Sequence, residues 1–183
     1  MLDELGWERQ GDGTRVKDGE PLQLFYVESS PNREKRNDIA YLIQQQLSEV
    51  GIEVDIEIYA DTFDVVMDRS DNHLHGVSNV SGDPDILRSF YHSNAIPTAE
   101  QWGHNHTHYS SDELDQLFVD GLEALDEEER LAIYDEIQTY VQDEVLGLPV
   151  YVFPYTVASS SRVDGIAFDT LGYPLFYDAS VGQ

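Results

Sequence analysis

No cysteine occurs in the 183 residues, which excludes disulfides, thiolate nucleophiles and cysteine-based zinc sites. It leaves the redox compartment open. Basic residues are scarce as well: 10 Lys and Arg stand against 36 Asp and Glu, a formal charge of −26, and Lys17 and Lys35 are the only lysines. A chain with this balance has no electrostatic footprint for nucleic acid, and an anionic membrane surface repels it. No apolar run approaches the roughly 20 residues that span a bilayer. Met1 to Trp7 has neither a positive n-region nor an apolar h-segment, so it does not read as a signal peptide. G-x-S-x-G, the P-loop, G-x-G-x-x-G and H-E-x-x-H are all missing, and no internal repeat or low-complexity tract is present.

What remains is a core-forming chain. Hydrophobic residues make up 40% and aromatics 11%, including 11 Tyr, too much for a disordered acidic tail. A chain of this length buries roughly 70% of its unfolded surface, enough for one large domain or one lobe of a larger protein. The acids are spread along the sequence, and the densest run, Asp126-Glu127-Glu128-Glu129, falls where a helix begins and suits its dipole. The spread fits a halophile's surface better than a dedicated site for cations or basic partners. Self-repulsion at this charge is relieved in molar salt, where the Debye length falls to about 3 Å.

Along the chain, Met1–Trp7 reads as the end of a helix, and Gly11-Asp12-Gly13 and Lys17-Asp18-Gly19 as turns. Leu22–Val27 predicts a strand. Ile39, Leu42, Ile43, Leu47 and Val50 predict one helix stripe that ends at Gly51. Ile52, Val54, Ile56 and Ile58 alternate with acids as a strand with one wet face. Strand, helix and strand with short connections make a βαβ unit and favour a parallel pair. Asp61 suits the N-cap of a short helix with Phe63, Val66 and Met67, and a brief strand covers Leu74–Val77. Asp83 caps a helix with Pro84 at its first position, followed by Leu87, Phe90 and Tyr91. Residues 92–109 form a long polar loop, and Ser110 or Ser111, then Asp126, start two further helices. Leu148–Val157 predicts an edge strand containing Pro149 and Pro154, and short β pieces fill 158–183.

Chemistry is sparse. His104, His106 and His108 alternate, so an extended segment would bring three imidazoles to one face about 7 Å apart, within reach of Zn²⁺, Ni²⁺ or Cu²⁺; a solvated loop is the alternative. Asp83 and Asp85 form an acid/base or metal pair, or simply a cap and a solvated first turn. Nothing positively indicates an enzyme or a cofactor. Trp7, Phe25, Tyr26, Tyr59, Tyr91, Trp102, Tyr109, Tyr151, Phe153 and Tyr155 exceed the needs of a plain core, and some suit a cleft for a peptide or sugar.

The order of motifs resembles the family 5 extracellular solute-binding proteins, the dipeptide, oligopeptide and nickel receptors of ABC importers. The likeness runs through Leu2-Asp3-Glu4-Leu5-Gly6-Trp7, Lys17-Asp18-Gly19-Glu20-Pro21-Leu22 and the helix–strand junction Ile43 to Val54. It continues through Gly82-Asp83-Pro84-Asp85, Tyr109 to Asp115, Glu129 to Tyr134 and Leu148-Pro149-Val150-Tyr151. The resemblance implies an α/β fold: a type II periplasmic-binding-protein-like lobe, a mixed sheet flanked by helices. Residues 1–157 would be the C-terminal ligand-binding lobe and 158–183 a segment returning to an N-terminal lobe absent from the chain. It also implies hinge closure on a small solute (peptide, oligosaccharide or metal chelate), delivery to ABC permease subunits, and a lipid-anchored, extracytoplasmic parent, here of haloarchaeal type. Peptide-binding members carry a Trp and, three residues later, an Asp that pairs with the ligand's amino terminus; Val77 and Val80 stand at those positions. Ser78, Asn79, Val80, Ser81, Gly82 and Trp102 are the expected solute contacts. The alternative is a metal-binding module built on His104, His106 and His108.

If the acids are a salt-adapted surface, far-UV circular dichroism at low KCl should show partial unfolding that molar KCl reverses. A melt independent of salt would contradict that reading.

Overall fold

The computed structural model describes residues 1–67, 72–98, 100–154 and 156–182. It divides into two compact units, Met1–Ser78 with Ile96–His108, and Asn79–Ala95 with Tyr109–Gln183.

In the first unit, three short strands, β1 (Glu8–Arg9), β2 (Arg15–Lys17) and β3 (Glu20–Pro21), form an antiparallel ribbon where the two turn signals lie. The next strand, β4 (Gln23–Ser29), leads into α1 (Arg36–Glu49) and β5 (Glu53–Tyr59). A short helix, α2 (Phe63–Met67), and β6 (Leu74–His75) follow. Asp61 accepts the Phe63 N–H at 2.9 Å, as a residue ahead of that helix should. The sheet order is β5-β4-β6 and both pairings are parallel, with Tyr26 opposite Ile56 on one side and Leu74 on the other. The βαβ expectation therefore holds.

The seam of α1 is narrower than the predicted stripe. Ala40 is fully buried, and Ile43 and Leu47 join it against Leu24, Tyr26, Val54 and Ile56. Leu42 and Val50 are instead exposed. A small Ala at the centre lets the helix sit close to the sheet, and residues to either side of that line turn to water. Gly51 follows the C-cap Val50 with φ +86°, and a Cβ there would come 2.5 Å from the Gly13 carbonyl oxygen. Arg15 N–H donates to the Gly51 carbonyl at 2.9 Å, tying the ribbon to the end of α1.

The second unit rests on a helical hairpin. Before it, Asp83 accepts the Asp85 N–H at 2.8 Å and caps a 3₁₀ turn over Pro84–Leu87, which runs into α3 (Arg88–Tyr91). Ser111 caps α4 (Asp112–Glu123) and Asp126 caps α5 (Glu127–Asp143), each through its side-chain oxygen. Leu114 and Phe118 of α4 meet Tyr134, Ile137 and Val141 of α5, with Leu87 and Tyr91 packed against them. Beyond lie two antiparallel pairs, β7 (Val163–Asp164) with β10 (Ser180–Val181) and β8 (Ala167–Phe168) with β9 (Pro174–Leu175).

Three expectations need correction. Met1–Trp7 holds only a 3₁₀ turn at Asp3–Leu5. The strand expected over Leu74–Val77 stops at His75. No regular structure covers the described residues between Leu148 and Val157, and Tyr155 lies outside them. Pro149 and Pro154 each remove a donor, and Leu148, Val150 and Val152 stay exposed. Among the described residues no helix is long and apolar enough to cross a membrane.

Phe118 is fully buried at the centre of the hairpin core. Phe118→Ala should cost about 3–5 kcal/mol, read as a fall in the urea midpoint followed by helical ellipticity.

Candidate functional site

In open α/β sheets, ligands meet the crevice outside the carboxyl ends of the strands, where successive connections leave a strand in opposite directions. In the first unit that strand is β4, flanked by β5 and β6. Glu28, near its carboxyl end, is fully buried. Period-two alternation puts it on the same face as Leu24 and Tyr26, an inward position for an acid. Its Oε2 accepts the Ser29 N–H at 3.3 Å, while Oε1 has no hydrogen-bond partner among the described residues. Burial pushes the Glu28 carboxyl above its ordinary range, and the Ser29 and Gly76 amides, Arg36 and His75 pull the other way.

Gly76 is required here, because a Cβ on it would overlap Glu28 Oε1. Arg36 Nη1 donates to the Gly76 carbonyl at 2.9 Å, and its Nε lies 3.4 Å from the Glu34 carboxylate. Glu34 in turn accepts a hydrogen bond from the Ser78 hydroxyl. Glu28, Arg36, Gly76, Glu34 and Ser78 thus form one polar chain at the end of the sheet.

Residues 100–108 belong to the same unit and carry the rings. Trp102 stacks on Phe63 of α2 with centroids 4.6 Å apart and planes 10° from parallel, yet is 52% exposed. Its Nε1 donates to His104 Nε2 at 3.4 Å. The His106 ring centroid lies 5.8 Å from that of His75 and 6.2 Å from that of His104. His75 Nδ1 sits 3.0 Å from the Val27 carbonyl oxygen, so that nitrogen carries a proton. His106 has both ring nitrogens buried, with no well-formed hydrogen bond among the described residues. Burial, then the neighbouring His75, His104 and His108, hold its pKa below the ordinary value, opposed by the Gly103 backbone.

The segment is not extended. His106 N–H donates to the His104 carbonyl at 2.9 Å and His108 N–H to that of Asn105 at 3.2 Å, with His108 at φ +53°. These turns break the alternation that would align His104, His106 and His108. Among the described residues no three His, Asp or Glu side chains are placed to hold a metal ion.

The second unit contains an open cleft of about 420 Å³, lined in part by Ser81, Asp83, Asp85, Arg88 and Asn94. Its acids are engaged. Asp83 accepts from Arg130 Nη2 at 2.8 Å, which with the Asp85 N–H holds its carboxyl below the usual range. Asp85 pairs with Arg88 and accepts the Tyr134 hydroxyl at 2.8 Å. Burial and that acceptor push Tyr134 up to about 12. The cap reading of Asp83 is correct, and neither acid is free for acid/base work.

Of the expected solute contacts, Ser78 and Trp102 lie in the first unit, and Asn79, Val80, Ser81 and Gly82 in the second. All six are exposed. Ser81 Oγ accepts the Asp83 N–H at 3.0 Å, so it shapes the start of the cap as well as the cleft. Sequence reasoning did not single out Glu28, Arg36, His75 or Gly76. The available signal was the acid in phase with Leu24 and Tyr26.

No family model matches the chain. Protein XP55 of Streptomyces lividans is 33% identical over 144 residues, 75% of this chain and 25% of its own length. The oligopeptide-binding protein AppA of Bacillus subtilis is 28% identical over 152 residues, 79% of this chain and 26% of its own. The structure of that AppA in complex with a nonapeptide superposes with TM-score 0.65 at 27% identity, covering 79% of this chain and 29% of that one. Campylobacter jejuni NikZ in complex with Ni(L-His) gives TM-score 0.64 over 76% of this chain and 28% of its own; at 22% identity it speaks for the fold alone. The chain spans about a quarter of the length of these curated relatives.

The raised Glu28 carboxyl has a signed consequence. The folded state holds this proton more tightly than the unfolded state, so stability falls as pH climbs above about 4.5 and through the folded pKa. Glu28→Gln, which is uncharged at every pH, should therefore melt higher than the parent at pH 7. That gain should vanish as pH drops below about 4.5. A lower Tm for the variant at pH 7 would mean that its partners outweigh its burial.

Proposed function

We propose, from the premise that this chain's homologues and structural neighbours are the family 5 peptide- and nickel-binding solute-binding proteins of ABC importers, that it is the solute-gripping part of such a receptor. Its fold is type II periplasmic-binding-protein-like and of the α/β class. The receptor captures a peptide or other small solute outside the cell and hands it to ABC permease subunits. The observation that carries this reading is the common span: sequence and fold agree with an oligopeptide-binding protein over 79% of the chain. The relatives are binding proteins of transport systems, and the described acids of the cleft are bound to arginines and a tyrosine.

Residues 1–157 belong, in this reading, to the C-terminal lobe, and 158–183 to a segment that returns to an N-terminal lobe outside this chain. Bare apolar side chains support that assignment. Phe168, Tyr173, Phe176, Tyr177 and Val181 are each at least half exposed, a liability for a surface left in water. Ser78 and Trp102 in the first unit, and Asn79, Val80, Ser81 and Gly82 in the second, are the proposed solute contacts. With Val80 in place of an acid, a peptide's ammonium group must be met elsewhere or left in water. The parent is proposed to be lipid-anchored at the outer face of the membrane of a halophile.

Thermal melting in molar KCl tests the assignment, with the chain joined to its N-terminal lobe and challenged by peptides, oligosaccharides and Ni²⁺. A solute at 100 times its Kd should add about 2.7 kcal/mol, and Trp102→Ala should reduce the shift. A shift with sugars or Ni²⁺ but not with peptides would replace the peptide assignment. A flat response to all three would overturn the receptor reading.

A further inference from the structure

We propose that His75 and His106 form an acid-sensitive latch that holds residues 100–108, and with them Trp102, against the sheet of the first unit. Four of the six histidines lie in or beside this segment, and the rings of His75, His104 and His106 form a connected group with Trp102. His75, on β6, is fixed by donating Nδ1–H to the Val27 carbonyl of β4, which points its other nitrogen away from the strand. His106 packs on that ring at 5.8 Å and Trp102 meets the His106 ring edge-on at 6.5 Å.

The contact works while the imidazoles are neutral. Among the described residues neither His106 nitrogen has a well-formed hydrogen bond, and the Gly103 backbone is the one group beside it that favours a proton; a poorly partnered ring costs a modest amount when neutral and far more as a cation. The titratable groups facing His106 are His75 from β6 and His104 and His108 from its own segment; all three are bases. From β4 the acid Glu28 reaches His75, offset by Arg36 of α1. From α2 the contact is Phe63, through Trp102, and carries no charge. Among the described residues, then, no acid stands against His106 to receive its positive charge. One proton taken up by His106 puts a cation in a half-buried site with no acid facing it, and a second on His75 or His104 places like charges about 6 Å apart, where each repels the other. The segment relieves this by carrying His106 into water, and Trp102 leaves Phe63 with it.

The latch rests on the first unit alone and stands whether or not the solute reading is correct. If Trp102 does touch solute, acid pH also weakens binding.

The test needs no solute. In a Trp7→Phe background Trp102 is the one remaining tryptophan. Its emission maximum and acrylamide quenching are followed in molar KCl from about pH 7.5 to about pH 5, across the range where imidazoles titrate. A red shift with increased quenching is expected, while far-UV ellipticity stays constant. Intensity alone is not the readout, because an imidazolium ion quenches a neighbouring indole in place. His106→Phe keeps a ring and removes the proton, and should abolish the shift. His75→Gln keeps a donor for Val27 and should reduce it, providing a second variant if the first does not fold. A wild-type signal that does not move, an equal shift in both variants, or a shift that coincides with loss of ellipticity would overturn the latch.

Discussion

Arg130 is the tie on which the second unit depends. Its guanidinium donates from Nη2 to Asp83 at 2.8 Å and from Nε to the Gly121 carbonyl at 3.2 Å, and it lies over the Tyr134 ring at 4.9 Å. One side chain therefore joins the 3₁₀ cap, the end of α4 and the core face of α5. Tyr134 completes the tie by donating its buried hydroxyl to Asp85. A planar fork with five donors can reach a carboxylate and a carbonyl at once, which an ammonium on a flexible stem does less well. The same device recurs in the first unit, where Arg15 reaches Asp3 and the carbonyls of Trp7 and Val50, and Arg36 reaches Glu34 and the Gly76 carbonyl. With 36 acids and 10 bases, Arg15, Arg36 and Arg130 each serve several partners. The shortage of lysine then has a structural sense beside any solvent adaptation.

The two units use polar groups differently. In the second, the acids that a sequence reader would suspect of chemistry are spent on caps and ties, and the cleft beside them is open and shallowly held. In the first, a buried acid and a half-buried imidazole both lack full partners among the described residues, on and beside a small three-stranded sheet at the end where ligands meet such folds. Incompletely satisfied groups are costly where structure alone is at stake. Their concentration around Glu28, His75 and His106 marks the first unit as the part of the chain that gives up stability for something else.

Much of this was legible in residue order. Caps announced themselves: Asp61, Asp83, Ser111 and Asp126 each receive the backbone N–H that their position ahead of an apolar run implies. Strand, helix and strand from Gln23 to Tyr59 followed from periodicity, because one face of each element is apolar and the short connections favour the parallel pair that forms. What failed was non-local. Leu148–Val157 has strand composition, but its described residues pair with no strand among the described residues, and apolar composition without a ladder is not a strand. The His104-His106-His108 face assumed an extended backbone, and turns closed by His106 and His108 amides removed it. Glu28 was passed over because acids are everywhere in this sequence; only its phase with Leu24 and Tyr26 distinguishes it from the acids that face water.

Salt divides these charges into two layers. In molar salt the Debye length of about 3 Å removes most repulsion among exposed acids, so the charge of −26 ceases to weigh on the fold. Glu28 Oε1, Arg36 Nε and both ring nitrogens of His106 are shut from solvent. Salt screens interactions among such atoms much less than those among exposed acids. In molar salt the fold is thus little affected by its surface charge and remains sensitive to the protonation of a few enclosed groups. The energetic response to pH is thereby concentrated on the sheet end of the first unit, close to the exposed ring of Trp102.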